Sequence, residues 1–165
     1  AIPKKYIPAV EAGIKEAIET GGLAGYPVVD IKTTIYDGSY HEVDSSEIAF
    51  RMAGSMALRK GLIKAKPILL EPIMKLEVVT PEEFLGDIIG DLNSRRGHIE
   101  AIETQGRMNA IYCLIPLAET FGYTTSIRSL TQGRATHTME FHRYQELPAE
   151  LANQICDKAT GRRYG

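Results

Sequence analysis

Tyr40 and His41 lie side by side in a run of small and polar residues, Asp37-Gly38-Ser39-Tyr40-His41-Glu42-Val43-Asp44-Ser45-Ser46. A phenol and an imidazole can stack on an unpaired base, and hydroxyls and backbone N–H groups can meet phosphate oxygens. A helix predicted to begin near Ser45 and Ser46 adds a pole of positive partial charge. Gly38, Ser39, Tyr40, His41, Ser45 and Ser46 are therefore candidate RNA-contacting residues. The same features suit a solvated turn leading into a capped helix, and Asp37, Glu42, Asp44 and Glu47 oppose phosphate binding by their charge.

Two further stretches invite the same question. Asn93-Ser94-Arg95-Arg96-Gly97-His98 places Arg95 and Arg96 at a predicted helix end. They can meet RNA there, or simply complement the helix dipole. Leu117-Ala118-Glu119-Thr120-Phe121-Gly122-Tyr123 follows Pro116 and reads as a helix start. Leu117, Glu119, Phe121 and Tyr123 can face an RNA backbone there, or the aromatics can be core.

Other chemistry finds little support. No GxxxxGK[ST] loop cradles a phosphate, and no HExxH or GxSxG is present. His41, His98, His137 and His142 are scattered. His137 and His142 differ by an odd number and would face opposite ways on one strand. Cys113 and Cys156 make neither a disulfide framework nor a zinc site, and Cys113 sits in an apolar run as a small core residue. No catalytic group, metal site or cofactor is expected within this stretch.

The elements that must position these residues follow from periodicity. Ile7, Val10, Ile14 and Ile18 predict a helix over 7–20, ended by Gly21-Gly22. Val29, Ile31, Thr33 and Ile35 alternate with polar neighbours and predict a strand. Asp44 with Glu47 resembles a capping box for a helix to about Lys60. Its apolar face would hold Ile48, Met52, Met56 and Ala49, Ala53, Ala57, with Gly61 as the stop. Two helices and one strand bury each other poorly, so further strands are expected upstream of Ala1. The missing initiator methionine points the same way.

A proline-stiffened linker spans 67–72. Beyond it the pattern reads β-α-β-β-α-β: a strand from Met74, a helix capped at Thr80-Pro81, strands over 97–103 and 107–115, a helix from Leu117 to about Gln132 stopped by Gly133, and a strand over 135–144. That order is the ferredoxin-like split βαβ. Residues 148–158 add a short tail helix, with fraying expected from Gly161.

Composition bounds the rest. The 165 residues are 44% hydrophobic and 24% charged, with a net charge of −2. That describes an ordinary soluble protein with no global attraction to nucleic acid. No apolar run reaches the roughly 20 residues that span a bilayer, so no membrane role is expected. A cytoplasmic location and a monomeric state fit these features.

Several of these runs also resemble one family. Asp37 to Glu47 looks like the domain IV tip of bacterial-type translation elongation factor G, and Leu70-Glu71-Pro72-Ile73-Met74 is similar to its entry into domain V. Asp91 to Gly97, Leu117 to Ser129 and Thr131-Gln132-Gly133-Arg134 resemble a helix end, second helix and exit of that domain. The resemblance implies an α+β chain: an incomplete ribosomal-S5-like domain IV over 1–66, a ferredoxin-like domain V over 73–147 and a tail over 148–165. It implies ribosome binding in GTP-dependent translocation. The tip, with His41, would meet the small-subunit decoding region with tRNA and mRNA. The 117–123 segment would face the large-subunit sarcin–ricin RNA. GTP and Mg would belong to a G domain that has no counterpart here. A ribosomal protection protein, a recycling-type paralogue and a small-molecule-sensing ferredoxin-like domain are the alternatives.

Overall fold

The computed structural model describes residues 1–161, so the expected fraying beyond Gly161 lies outside the described residues. The chain forms two units. One holds Ala1–Leu69 with the chain from Pro148 onward, and the other holds Leu70–Leu147.

The first unit is built on helices α1 (Ile7–Thr20) and α2 (Glu47–Ala65). Pro8 suits the first turn of α1, where its missing N–H is no loss. The two helices meet differently from the periodicity reading. α1 buries Ala9, Val10, Gly13 and Ala17, with Ile14 and Ile18 only partly covered. α2 buries Phe50, Gly54, Leu58 and Leu62, while Ile48, Met52 and Met56 are exposed. The reason is steric. A Cβ on Gly13 would fall on the Arg51 carbonyl, and one on Gly54 would sit 2.5 Å from the Val10 carbonyl oxygen. Glycine lets the backbones touch, so the buried stripe of α2 runs through Gly54, with Phe50, Leu58 and Leu62 in line with it and the methionines outside.

Three further expectations fail here. Ser46, not Asp44, caps α2: its hydroxyl accepts the Ala49 N–H at 3.1 Å. Gly61 does not stop the helix, which ends at Ala65 with Lys66 left-handed at φ 54°. The strand expected from Val29 has no hydrogen-bonded neighbour among the described residues, and Asp30 at φ 56° interrupts its extended backbone. A strand exists only through its ladder, and alternation without a partner does not make one. Helix α5 (Ala149–Ala159) forms as expected for the tail and groups with this first unit.

The second unit is an antiparallel sheet of β1 (Leu70–Pro81), β2 (His98–Gln105), β3 (Met108–Pro116) and β4 (Thr136–Glu146), in the order β2-β3-β1-β4. Helices α3 (Leu85–Ser94) and α4 (Tyr123–Thr131) complete the βαββαβ order. This is the split βαβ expected from the pattern. Its core joins Leu76 and Val78, Ile88 and Leu92, Ile111, Cys113 and Ile115, and Tyr123 and Ile127. Each such apolar side chain contributes about 1.5–3 kcal/mol on burial.

The boundaries differ from the pattern. β1 begins at Leu70, because Leu70, Glu71 and Pro72 already pair with Glu146, Gln145 and Tyr144. The last residues of the expected linker are therefore strand. Pro72 is tolerated there because it precedes the β1–β3 pairing, which starts at Ile73. Thr80-Pro81 does not cap α3; β1 runs to Pro81 and a 3-10 turn, Glu82–Phe84, leads into the helix. The ladder between β1 and β4 shifts register at Ile73/Met74, where Ile73 pairs with Arg143 and Met74 with Phe141. His142 is the extra residue, without a partner in this ladder.

Two expected outcomes test this packing. Gly54→Ala should destabilise the helix pair by about 1–3 kcal/mol through overpacking. Gly61→Ala, with open space around its Cβ, should stabilise α2 by about 0.5–1 kcal/mol. Helical circular dichroism through a urea titration reads both. Separately, burial, then the nearby Glu100, pushes the Cys113 thiol up to about 11, against a smaller lowering by a backbone hydrogen bond at His98. At pH 8.5, iodoacetamide should label the half-buried Cys156 and spare Cys113. The folded state holds the Cys113 proton more tightly than the unfolded chain does. Its contribution to stability should therefore fall as pH rises from about 9 to 11.

Candidate nucleic-acid interface

The turn before α2 is held by its own serines. Ser45 Oγ accepts the His41 N–H at 2.9 Å, and the Ser45 N–H donates to the His41 carbonyl at 2.9 Å. Asp37 Oδ1 accepts the Gly38 N–H at 2.8 Å. An aromatic stack supports the base of the turn. The Tyr6 ring stacks on buried Phe50 at 4.5 Å between centroids, and Tyr40 lies 6.1 Å from Tyr6. Gly38 packs against the Ile2 side chain.

These contacts sort the candidates. Ser45 and Ser46 spend their hydroxyls on backbone N–H groups. Tyr40 leans on Tyr6 and Gly38 on Ile2, both just ahead of α1. Ser39 and His41 are exposed, as are Asp37, Glu42 and Asp44 beside them. The turn therefore presents an imidazole on a pre-shaped backbone inside an acidic rim. Such a surface suits base contact better than phosphate contact.

The arginines of the second unit have a different fate. α3 ends in a Schellman arrangement: the Gly97 N–H reaches the Leu92 carbonyl at 2.9 Å and the Arg96 N–H reaches that of Asn93 at 3.3 Å. Arg96 occupies the left-handed position at φ 56°, where glycine is usual. From there its guanidinium donates twice to Glu71, both at 2.9 Å, and once to Glu119 at 3.1 Å. The Glu71 side chain is only 8% exposed. The hydrogen bond to Glu71 raises the Arg96 pKa against the opposing effect of burial, with Glu119 adding to the rise.

Arg95 turns to the other side. It donates to Asp91 Oδ2 at 3.0 Å, to the Glu119 and Phe121 carbonyls at 2.8 and 3.3 Å, and to Ser126 Oγ at 2.8 Å. Its guanidinium lies 5.3 Å from the Tyr123 ring centroid. Both arginines are occupied within the domain.

The segment they hold is not a helix start. Leu117–Glu119 is a 3-10 turn, Gly122 is left-handed at φ 74°, and α4 begins only at Tyr123. Leu117 and Glu119 are half-buried. Tyr123 is core at 4% exposure, edge-on to His137 at 5.4 Å. Burial raises its pKa, and its hydroxyl has no hydrogen-bond partner among the described residues. Phe121 alone of the four projects, at 78% exposure. Glu71, Asp91 and Ser126 were missed in the sequence, since their role appears only when the fold closes.

A hollow on the sheet is lined by Glu77, Glu100, Glu103 and Glu140 with Lys75, a charge balance that opposes phosphate. Among the described residues no His/Cys/Asp/Glu group is placed to hold a metal ion, and no helix is long and apolar enough to cross a membrane.

Each unit thus carries an exposed turn on a braced frame, one beside a helix pair and one on a split βαβ sheet. The comparisons with known proteins give the chain its family. Residues 1–66 match the family described as elongation factor G, domain IV, and residues 68–155 match elongation factor G C-terminus. The chain is 60% identical over 159 residues to an elongation factor G of Dehalococcoides mccartyi, covering 96% of this chain and 23% of that protein. A crystal structure from Thermus thermophilus superposes with a TM-score of 0.83 at 45% identity, over 97% of this chain and 24% of that one. The chain belongs to the elongation factor G family. It spans about a quarter of the length of these relatives.

Arg96 offers a direct test of the site's frame. Arg96→Ala strands the buried Glu71 carboxylate and should cost about 3 kcal/mol. Arg96→Gly loses the same pair but relieves the left-handed backbone, and should be about 1 kcal/mol more stable than the alanine variant. Denaturant titration of the two variants measures the difference.

Proposed function

We propose that this chain is the ribosome-contacting region of an elongation factor G and acts in GTP-dependent translocation of tRNA and mRNA. The observation that carries the reading is the ordered match to both family domains, joined to 60% identity over nearly the whole chain. Exposure of His41 and Phe121 on braced turns supports it.

The parts then divide as follows. The 37–46 turn, with Gly38, Ser39, Tyr40, His41, Ser45 and Ser46, enters the small-subunit decoding region. His41 acts there by contact and not by proton transfer. The 117–123 turn faces the large-subunit sarcin–ricin RNA with Phe121 outermost, while Arg95 and Arg96 support it from within. GTP and Mg act in the G domain of the whole factor, which works in the cytoplasm as a monomer.

Removing the imidazole tests this division. In full-length elongation factor G bearing this region, His41→Ala should slow translocation by roughly tenfold, the scale of one lost base-stacking contact. Ribosome-stimulated GTP hydrolysis should stay near the parent rate. Rapid-kinetic measurement of both steps decides it: equal slowing of the two would sink the assignment.

A further inference from the structure

The exposed Phe121 ring sits on a turn whose own hydrogen bonds all involve Thr120: its N–H and hydroxyl donate to the Leu117 carbonyl at 3.0 and 2.7 Å, and its carbonyl accepts the Tyr123 N–H at 3.1 Å. Gly122 is left-handed, and the residues before it form a single 3-10 turn. Arg96 holds the Glu119 side chain, and Arg95 holds the Glu119 and Phe121 backbone carbonyls. One guanidinium nitrogen takes the Glu119 and Phe121 carbonyls together, a second takes Ser126 at the start of α4, and the third is anchored by Asp91 on α3. The guanidinium carbon also lies over the Tyr123 ring. Arg95 therefore bridges α3, the turn and α4, and its side chain is only 17% exposed.

We propose that Arg95 is a positioning residue that fixes the Glu119–Gly122 backbone in the shape that projects Phe121 for stacking on an unpaired RNA base. The inference rests on the proposed role of the 117–123 turn in RNA contact. The planar fork matters. Lysine carries the same charge but cannot satisfy two carbonyls, a hydroxyl and a carboxylate from one rigid plane. A turn free to sample other shapes must be ordered on binding, and affinity drops by the fraction of time it is not in the competent shape.

A double-mutant cycle in full-length elongation factor G bearing this region tests the claim, with ribosome affinity as the readout. Phe121→Ala should weaken binding about tenfold, the range of a lost base–aromatic stack. Arg95→Lys should weaken it about fivefold by loosening the turn, and the double variant should be no weaker than Phe121→Ala alone. Ile127→Val is the control, because it softens the core beneath α4 without touching the turn. It should keep parent affinity even though it lowers the melting temperature. Ser126→Ala, which removes one anchor and spares the charge, should fall between the parent and Arg95→Lys.

The failures separate. If Phe121→Ala binds like the parent, the RNA-facing reading of the turn falls, and this inference with it. If Phe121→Ala weakens binding while Arg95→Lys does not, the site stands and the positioning role is wrong. Additive losses, or an Ile127→Val loss equal to that of Arg95→Lys, would reduce Arg95 to a general stabiliser.

Discussion

A buried carboxylate needs a cation, and in the second unit that requirement organises one end of the sheet. Glu71 lies near the start of β1, almost fully covered. Arg96 answers it from the end of α3, in a backbone conformation that costs a non-glycine residue about 1 kcal/mol or more. Two parallel N–H donors offset that cost, and the geometry leaves the third side of the guanidinium for Glu119. One side chain thus ties the first strand, the first helix and the turn before the second helix. Gly97 must follow it, since a Cβ there would sit 2.7 Å from the Leu92 carbonyl oxygen and 2.9 Å from Cys113 Sγ. Backbone, ion pair and core packing are mutually dependent at this point.

The two exposed turns reach rigidity by different chemistry. In the first unit, hydroxyls close the loop on its own backbone, and rings carry it back to the helix pair. In the second, a guanidinium collects the carbonyls that a 3-10 turn leaves without helical partners. Neither relies on a free cation beside the projecting ring. The proposed RNA contact would then depend on the shape of a surface more than on its charge, in keeping with the small net charge of the chain.

The division between what was legible and what was not follows the range of the interactions. The split βαβ could be read because its signals are local: alternation from Met74, the helix-period residues Ile88 and Leu92, and Gly133 after α4. Helix α1 was placed correctly, with Val10 buried and Ile14 and Ile18 packed against the core; the buried face of α2 was not, because Gly54 carries no hydrophobic signal. The 29–36 alternation was genuine in sequence but has no ladder among the described residues. At the candidate interface, His41 was legible as an imidazole in a polar loop. For Arg95, Arg96 and Tyr123 the choice between surface and interior stayed open, because the deciding partners lie 23 to 31 residues away or in the core.

The contact between α1 and α2 also has a mechanical meaning. At Gly13 and Gly54 no layer of side chains separates the helices, and main chain meets main chain. Side-chain layers absorb small displacements by changing rotamers; two backbones in contact have no such slack. A push on the loop ahead of α2 would pass into α1 as movement of the pair, with little lost as internal rearrangement. Stiffness in this part of the molecule thus comes from its smallest residues.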